Sequence, residues 1–87
     1  MSITVRLDPL FLYLTKGQEV IEVKGENVGQ CLDSLEASFP GLKSELFNRQ
    51  GQLWDDIGVY LNNSSTYLNH PVKDGDELTI LKALAGG

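Results

Sequence analysis

The sequence predicts a single α+β domain in which one main helix lies across one face of a mixed sheet of four to five strands. Short segments in both halves of the chain alternate apolar and polar residues, which is the period of a half-buried strand. Between them, one segment has apolar residues at spacings of three and four, the pattern of an amphipathic helix. The chain of 87 residues, 41% of them hydrophobic, suffices for one modest core and is too short for a second domain.

The strands are predicted from alternation and from the turn residues around them. Four segments have the strand pattern: residues 3–7, 19–23, 57–61 and 78–81. Asp8-Pro9 ends the first, Asn62-Asn63-Ser64-Ser65 closes the third, and Gly75 can supply the positive φ of a turn before the last. The apolar stretch from Leu10 to Leu14 is expected within a loose hairpin that joins the first two strands.

The main helix is predicted over Val28 to Phe39. Asn27 is a good N-cap, and Gln30 lies three residues later in the position of a capping-box partner. Pro40-Gly41 ends the helix, and a short helical turn is expected over residues 42–47. The apolar stripe of the helix faces the sheet, so we expect the core to include Val5, Leu32, Leu35, Val59 and Ile80.

The composition limits the classes of partner. Twelve acidic and seven basic residues give a net charge of −5 and a pI near 4.6, so we expect no nucleic-acid partner. The apolar runs are far shorter than the roughly 20 residues of a membrane span, and the start of the chain lacks a signal-peptide pattern. We therefore expect a cytoplasmic protein without a membrane partner. A single cysteine, Cys31, excludes an internal disulfide and fits a reducing compartment.

The titratable residues do not form a recognisable catalytic or metal-binding constellation. The acidic segment from Asp74 to Glu77 is interpreted as a solvated turn because it lacks the longer calcium-loop pattern, and Asp55-Asp56 is interpreted in the same way. His70 has no acidic or thiol neighbour to orient it as a general base, so we expect a surface loop histidine. Cys31 lies on the apolar helix stripe and is expected to be a small buried hydrophobe. The chain is therefore predicted not to be an enzyme.

The last five residues, Ala83 to Gly87, are predicted to form a flexible tail after a domain that spans residues 1–82. Gly86 and Gly87 lack side chains, so the tail could thread a narrow channel and leave its terminal carbonyl unhindered. When extended, the tail reaches roughly 17 Å at about 3.4 Å per residue. Taken alone, a Gly-Gly ending fits a frayed terminus or an added sequence better than a functional tail.

The end of the chain, Asp74 to Leu81 followed by Ala83 to Gly87, resembles the C-terminus of the ubiquitin-like sulfur carriers. The resemblance extends over nearly the whole chain through Gly17-Gln18, Leu35-Glu36-Ala37, Phe39-Pro40-Gly41-Leu42 and Ile57 to Asn62. This family includes the small subunit of molybdopterin synthase, the thiamine sulfur carrier and the carrier used for cysteine synthesis. The length and the loop before Asp55 look more like the first and the third. Lys82 departs from the family pattern, since many members carry proline there.

The resemblance implies a β-grasp fold and a carrier cycle. An E1-like adenylating enzyme would use ATP and magnesium to convert the Gly87 carboxylate to an acyl-adenylate, and sulfur would then displace AMP to give a thiocarboxylate. The acceptor would be the molybdopterin synthase large subunit or a cysteine-synthase-like enzyme. Gly87 would carry the sulfur, Gly86 would provide clearance, and this chain would bind no cofactor itself. It would be part of an active enzyme only as a molybdopterin synthase small subunit.

Docking to these partners is expected beside the tail. If Ile80 points into the core, the period of two places Leu81 on the opposite face, so Leu81, Leu84 and Ala85 are candidate partner contacts. The alternative is that the chain's own loops cover Leu81. Two other functions remain open: a ubiquitin-like modifier joined through Gly87 to target lysines, and a plain ubiquitin-like interaction domain with an inert terminus.

Overall fold

The computed structural model describes residues 1–83, which form one mixed sheet with helices packed against one face. In chain order the elements are β1 (Ser2–Leu7), a 3-10 helix (Pro9–Leu14), β2 (Val20–Lys24), α1 (Val28–Ser38), α2 (Leu42–Leu46), β3 (Ile57–Leu61), β4 (Ser64–Ser65) and β5 (Glu77–Lys82). The strand order is β2-β1-β5-β3-β4; β1 and β5 are parallel, and the other neighbours are antiparallel. This is the predicted α+β architecture, a β-grasp fold.

The core lies between the sheet and α1, as the alternation and the helix stripe predict. All five predicted core residues are buried: Val5, Leu32, Leu35, Val59 and Ile80. Cys31 is also fully buried, and its burial raises the pKa of the thiol above the ordinary value. Cys31 therefore contributes to packing as a small hydrophobe, which confirms the prediction from the sequence.

Both ends of α1 follow from short-range hydrogen bonds. The Asn27 side chain accepts a hydrogen bond from the Gln30 backbone N–H at 2.8 Å, so the helix begins at Val28 as predicted. The helix ends at Ser38, one residue before the predicted end. The Glu36 carboxylate accepts hydrogen bonds from the backbone N–H groups of Gly41 and Lys43 at 3.0 and 2.7 Å. These bonds lower the pKa of Glu36 and hold the connection into α2.

One sequence prediction needs correction, and one element was not predicted. The loose hairpin that joins β1 to β2 is confirmed by their antiparallel pairing. Within this connection Leu10 to Leu14 lies in the 3-10 helix, which the Asp8 side chain caps and whose Phe11 is buried in the core. Asp76, expected in a solvated turn, is 7% exposed. Its carboxylate accepts hydrogen bonds from Asn62 Nδ2 at 3.0 Å and from the Lys73 backbone N–H at 2.9 Å.

Candidate functional site

The last strand divides its side chains between the core and the outer face of the sheet, which is the face opposite α1. Ile80 is fully buried, whereas the next residue, Leu81, is 45% exposed. The alternation along β5 is therefore the predicted one, and the described residues of the chain do not cover Leu81. Its contact with a partner remains a prediction. Leu84, Ala85, Gly86 and Gly87 lie outside the described residues, and so do their predicted roles.

An aromatic ring extends the apolar surface beside Leu81. In the pairing of β3 with β5, Gly58 lies opposite Leu81. The Tyr60 ring folds over Gly58, because a Cβ built on this glycine would be 2.8 Å from Tyr60 Cε2 and 2.8 Å from its hydroxyl oxygen. A residue with a side chain at position 58 would displace the ring. Leu81 and the Tyr60 ring together form what we call the outer-face patch.

Carboxylates surround the groove beside the outer-face patch. Asp8, Asp55 and Asp56 line the groove together with Leu81 and Lys82. Asp55 and Asp56 are exposed, as predicted. Three acidic side chains against one lysine make the groove locally negative, in keeping with the net charge of −5. A partner surface that fits this groove would present an apolar pocket with basic side chains at its rim.

The backbone at the base of the tail is held on both sides. The Lys82 backbone N–H donates to Asp8 Oδ2 at 3.0 Å, and the Ala83 backbone N–H donates to the Asp56 carbonyl at 2.8 Å. Neither Asp8 nor Asp56 was predicted from the sequence to belong to the site. Asp8 before Pro9 is a readable helix-capping signal, but its contact with Lys82 joins residues 74 positions apart.

The other residues weighed from the sequence lie away from this groove. His70 stacks on Tyr67 with ring centroids 4.8 Å apart, and its Nδ1 is 2.8 Å from Thr66 Oγ1. The hydrogen bonds from Asn62 and Lys73 lower the pKa of Asp76, so its carboxylate is engaged in the turn. Within residues 1–83, no group of three or more His, Cys, Asp or Glu residues could hold a metal ion. No helix in that range is long and apolar enough to cross a membrane.

The five-stranded β-grasp sheet defines the class of ubiquitin-like proteins, and its strand β5 leads in sequence to Gly86-Gly87. The chain belongs to the ThiS family, which matches residues 11–87. The match therefore includes the helix, β5 and the Gly-Gly sequence. The predicted resemblance to the sulfur carriers is confirmed.

Similar proteins include sulfur carriers and a protein modifier. The chain is 31% identical over 93 residues to sulfur carrier protein CysO of Mycobacterium tuberculosis (strain ATCC 25618 / H37Rv), with 100% of both chains covered. It is 35% identical over 68 residues to small archaeal modifier protein 1 of Haloferax volcanii, covering 77% of this chain and 78% of that protein. In the crystal structure of the Amycolatopsis orientalis BexX/CysO complex, a 36% identical chain matches with a TM-score of 0.89 and coverage of 98% and 99%.

Proposed function

We propose that this chain is a cytoplasmic sulfur carrier whose Gly87 carboxylate is activated and converted to a thiocarboxylate. The observation that carries the proposal is the path of the chain at the end of β5. It runs past an exposed apolar side chain, Leu81, is held at Lys82 and Ala83, and continues in sequence to Gly86-Gly87. A partner that binds the outer-face patch would therefore receive the tail in its own active site.

The chemistry follows from the poor reactivity of a free carboxylate. An oxygen of the Gly87 carboxylate attacks the α-phosphorus of ATP, which releases pyrophosphate and forms an acyl-adenylate. A hydrosulfide-equivalent sulfur then attacks the carbonyl carbon and AMP leaves, so the product is a thiocarboxylate. ATP and magnesium would be bound by the E1-like adenylating enzyme. Because the sulfur would be covalently bound to a docked protein, it would reach the acceptor's substrate at high effective concentration.

Both partners would use the same docking surface because each must receive the same tail. The outer-face patch supplies the apolar contact, and Asp8, Asp55 and Asp56 supply the negative rim. We therefore propose that the adenylating enzyme and the sulfur-accepting enzyme each present an apolar pocket with a basic rim. The acceptor would belong to molybdopterin or to cysteine/methionine-type biosynthesis.

A protein modifier is the second candidate function, and the similarity to small archaeal modifier protein 1 favours it. In that reaction a lysine amine of a target protein attacks the activated Gly87 carbonyl and AMP leaves, giving an isopeptide bond. Activation and docking are the same in both candidates. They differ in the nucleophile, so the products formed with sulfide and with a lysine-bearing target distinguish them.

Docking can be tested with Leu81→Glu and a matched control, Val20→Glu. Val20 is 47% exposed on the same face of the sheet but lies on the edge strand β2, which β1 separates from β5. The affinity of each variant would be measured for both partners: an E1-like enzyme that releases pyrophosphate in the presence of ATP and the unmodified chain, and the sulfur-accepting enzyme. Loss of an apolar hot spot costs about 2 kcal/mol, or about thirtyfold in binding. We expect a loss of that size for Leu81→Glu and less than about a twofold change for Val20→Glu.

Unchanged affinity of Leu81→Glu for both partners would remove the outer-face patch from the interface. Equal losses in the two variants would indicate a general effect of the added charge. The unfolding free energies of both variants would be measured in parallel. If Leu81→Glu abolished folding, the assignment of Leu81 to an exposed site would be wrong.

A further inference from the structure

We propose that Asp8 is a positioning residue for the sulfur-bearing tail, acting through its hydrogen bond to the Lys82 backbone N–H. The Asp8 carboxylate lies at the junction of β1, the 3-10 helix and the end of β5. Its effect on catalysis rests on the proposed function, since it matters only if Gly87 must reach a partner's active site. The contact itself can be tested on this protein alone.

The hydrogen bond continues a ladder that the backbone of β1 does not complete. Along the parallel pair of β1 and β5, the Thr4 N–H donates to the Asp76 carbonyl and the Asp8 N–H donates to the Ile80 carbonyl. The next bond in a regular parallel ladder would run from the Lys82 N–H to the backbone carbonyl of Asp8. Here the side-chain carboxylate accepts it instead, at 3.0 Å. Through this hydrogen bond β5 stays attached to the β1 side of the sheet for one more residue.

Pro9 explains why the side chain takes this place. The residue before a proline is restricted to extended conformations, and Asp8 has φ −56° and ψ 138°. The chain then turns away from β5 into the 3-10 helix. Asp8 Oδ1 accepts a hydrogen bond from the Leu10 N–H at 3.0 Å, while Oδ2 accepts the bond from Lys82. One carboxylate thus joins the start of the 3-10 helix to the base of the tail.

The two anchors at the base of the tail restrain its direction from opposite sides. Asp8 holds the Lys82 N–H on the β1 side, and the Asp56 carbonyl holds the Ala83 N–H next to β3 at 2.8 Å. Beyond Lys82, five residues lead to Gly87, a reach of roughly 17 Å at about 3.4 Å per residue. Loss of one anchor would free the backbone of Lys82, so the chain would no longer leave the sheet in one fixed direction at the base of the tail.

The first test uses Asp8→Ala in the isolated protein. The amide hydrogen of Lys82 should exchange at least about tenfold faster than in the unmodified chain, because its acceptor is gone. The amide of Val23, which lies in β2 and pairs with Ile3 of β1, serves as an internal control and should be unchanged. An unchanged exchange rate at Lys82 would overturn the proposal without reference to any enzyme.

The second test separates the anchor from the helix cap by making Asp8→Ala both in the unmodified chain and in a Lys82→Pro chain. Proline has no backbone N–H, so the Lys82→Pro chain offers Asp8 no donor at this position, and the ring itself restrains φ. With the E1-like enzyme, ATP and sulfide, Asp8→Ala alone should lower sulfur loading per unit of enzyme about tenfold. The reason is that the backbone of Lys82 regains conformational freedom, which must be lost again on docking. In the Lys82→Pro chain the same change should cost less than about twofold.

Equal losses in the two backgrounds would mean that Asp8 acts through the 3-10 helix cap, which would overturn the positioning role. Exchange at the Leu10 amide reports on that cap separately. If the unmodified chain gains no sulfur at all, the proposed function fails, while the exchange rate at Lys82 still decides whether Asp8 holds the tail. The two failures are therefore distinguishable. If Lys82→Pro does not fold, the exchange comparison alone decides the anchor.

Discussion

Leu35→Ala and Leu81→Ala remove the same atoms from two sites that differ in burial. Leu35 is 1% exposed and Leu81 is 45% exposed. Removing three carbons from Leu35 loses about 2.4 kcal/mol of transfer free energy at about 0.8 kcal/mol per methylene. The cavity brings the total to roughly 2–5 kcal/mol. Leu81 has nearly half of its surface in water, so its truncation should lower the unfolding free energy by only about 1 kcal/mol.

Urea unfolding followed by the fluorescence of Trp54, the only tryptophan, would measure both variants. With an m-value of about 1 kcal/mol/M for a chain of this size, Leu35→Ala should lower the midpoint by roughly 2 M or more. Leu81→Ala should lower it by about 1 M or less. Equal shifts, or a larger shift for Leu81→Ala, would refute the placement of Leu35 in the core and of Leu81 on the outer face.

Two further predictions concern titratable groups. Hydrogen bonds from Asn62 and Lys73 lower the pKa of Asp76, so its stabilisation is fully present above the unfolded pKa of about 3.9 and is lost as the pH falls below it. The difference in unfolding free energy between the unmodified chain and Asp76→Asn should therefore shrink below about pH 4, and a constant difference would contradict this. Burial raises the pKa of the Cys31 thiol, so a thiol reagent should modify it slowly in the folded protein and rapidly in urea. Equal rates would contradict its burial.

Local patterns predicted most of the fold. The Asn27 cap set the start of α1, and the alternation of residues 57–61 and 78–81 identified two strands and the outward direction of Leu81. These signals are short-range, because capping and the period of a strand involve neighbours in the sequence. The helix end was predicted within one residue, since Phe39 follows the last helical residue, Ser38.

Long-range polar contacts could not be predicted in the same way. Asp76 is buried because it bonds Asn62, which is 14 residues away, and Asp8 reaches Lys82 across 74 residues. Neither pair has a spacing that a sequence pattern could identify. The 3-10 helix after Asp8 was missed for a different reason. Its residues form a short apolar run of the kind that also occurs in strands, so the pattern did not identify a helix. Asp8 was interpreted only as the end of β1 and not as a helix cap.

Sulfur on Gly87 is the central claim, and the most direct test is a mass measurement of the C-terminal peptide. The protein would carry Cys31→Ala and would be incubated with the E1-like enzyme, ATP and sulfide. Replacing one oxygen by sulfur adds nearly the same mass as adding one oxygen atom by oxidation. The modified peptide must therefore also react with a thiol-alkylating reagent.

We predict one sulfur on the peptide that ends at Gly87 and none on a chain extended by one residue beyond it, provided that the extension stays uncleaved. The extension would move the carboxylate past the position set by docking. Sulfur on the uncleaved extended chain, or none on the original chain with an enzyme that activates it, would contradict the assignment of Gly87 as the sulfur-bearing residue.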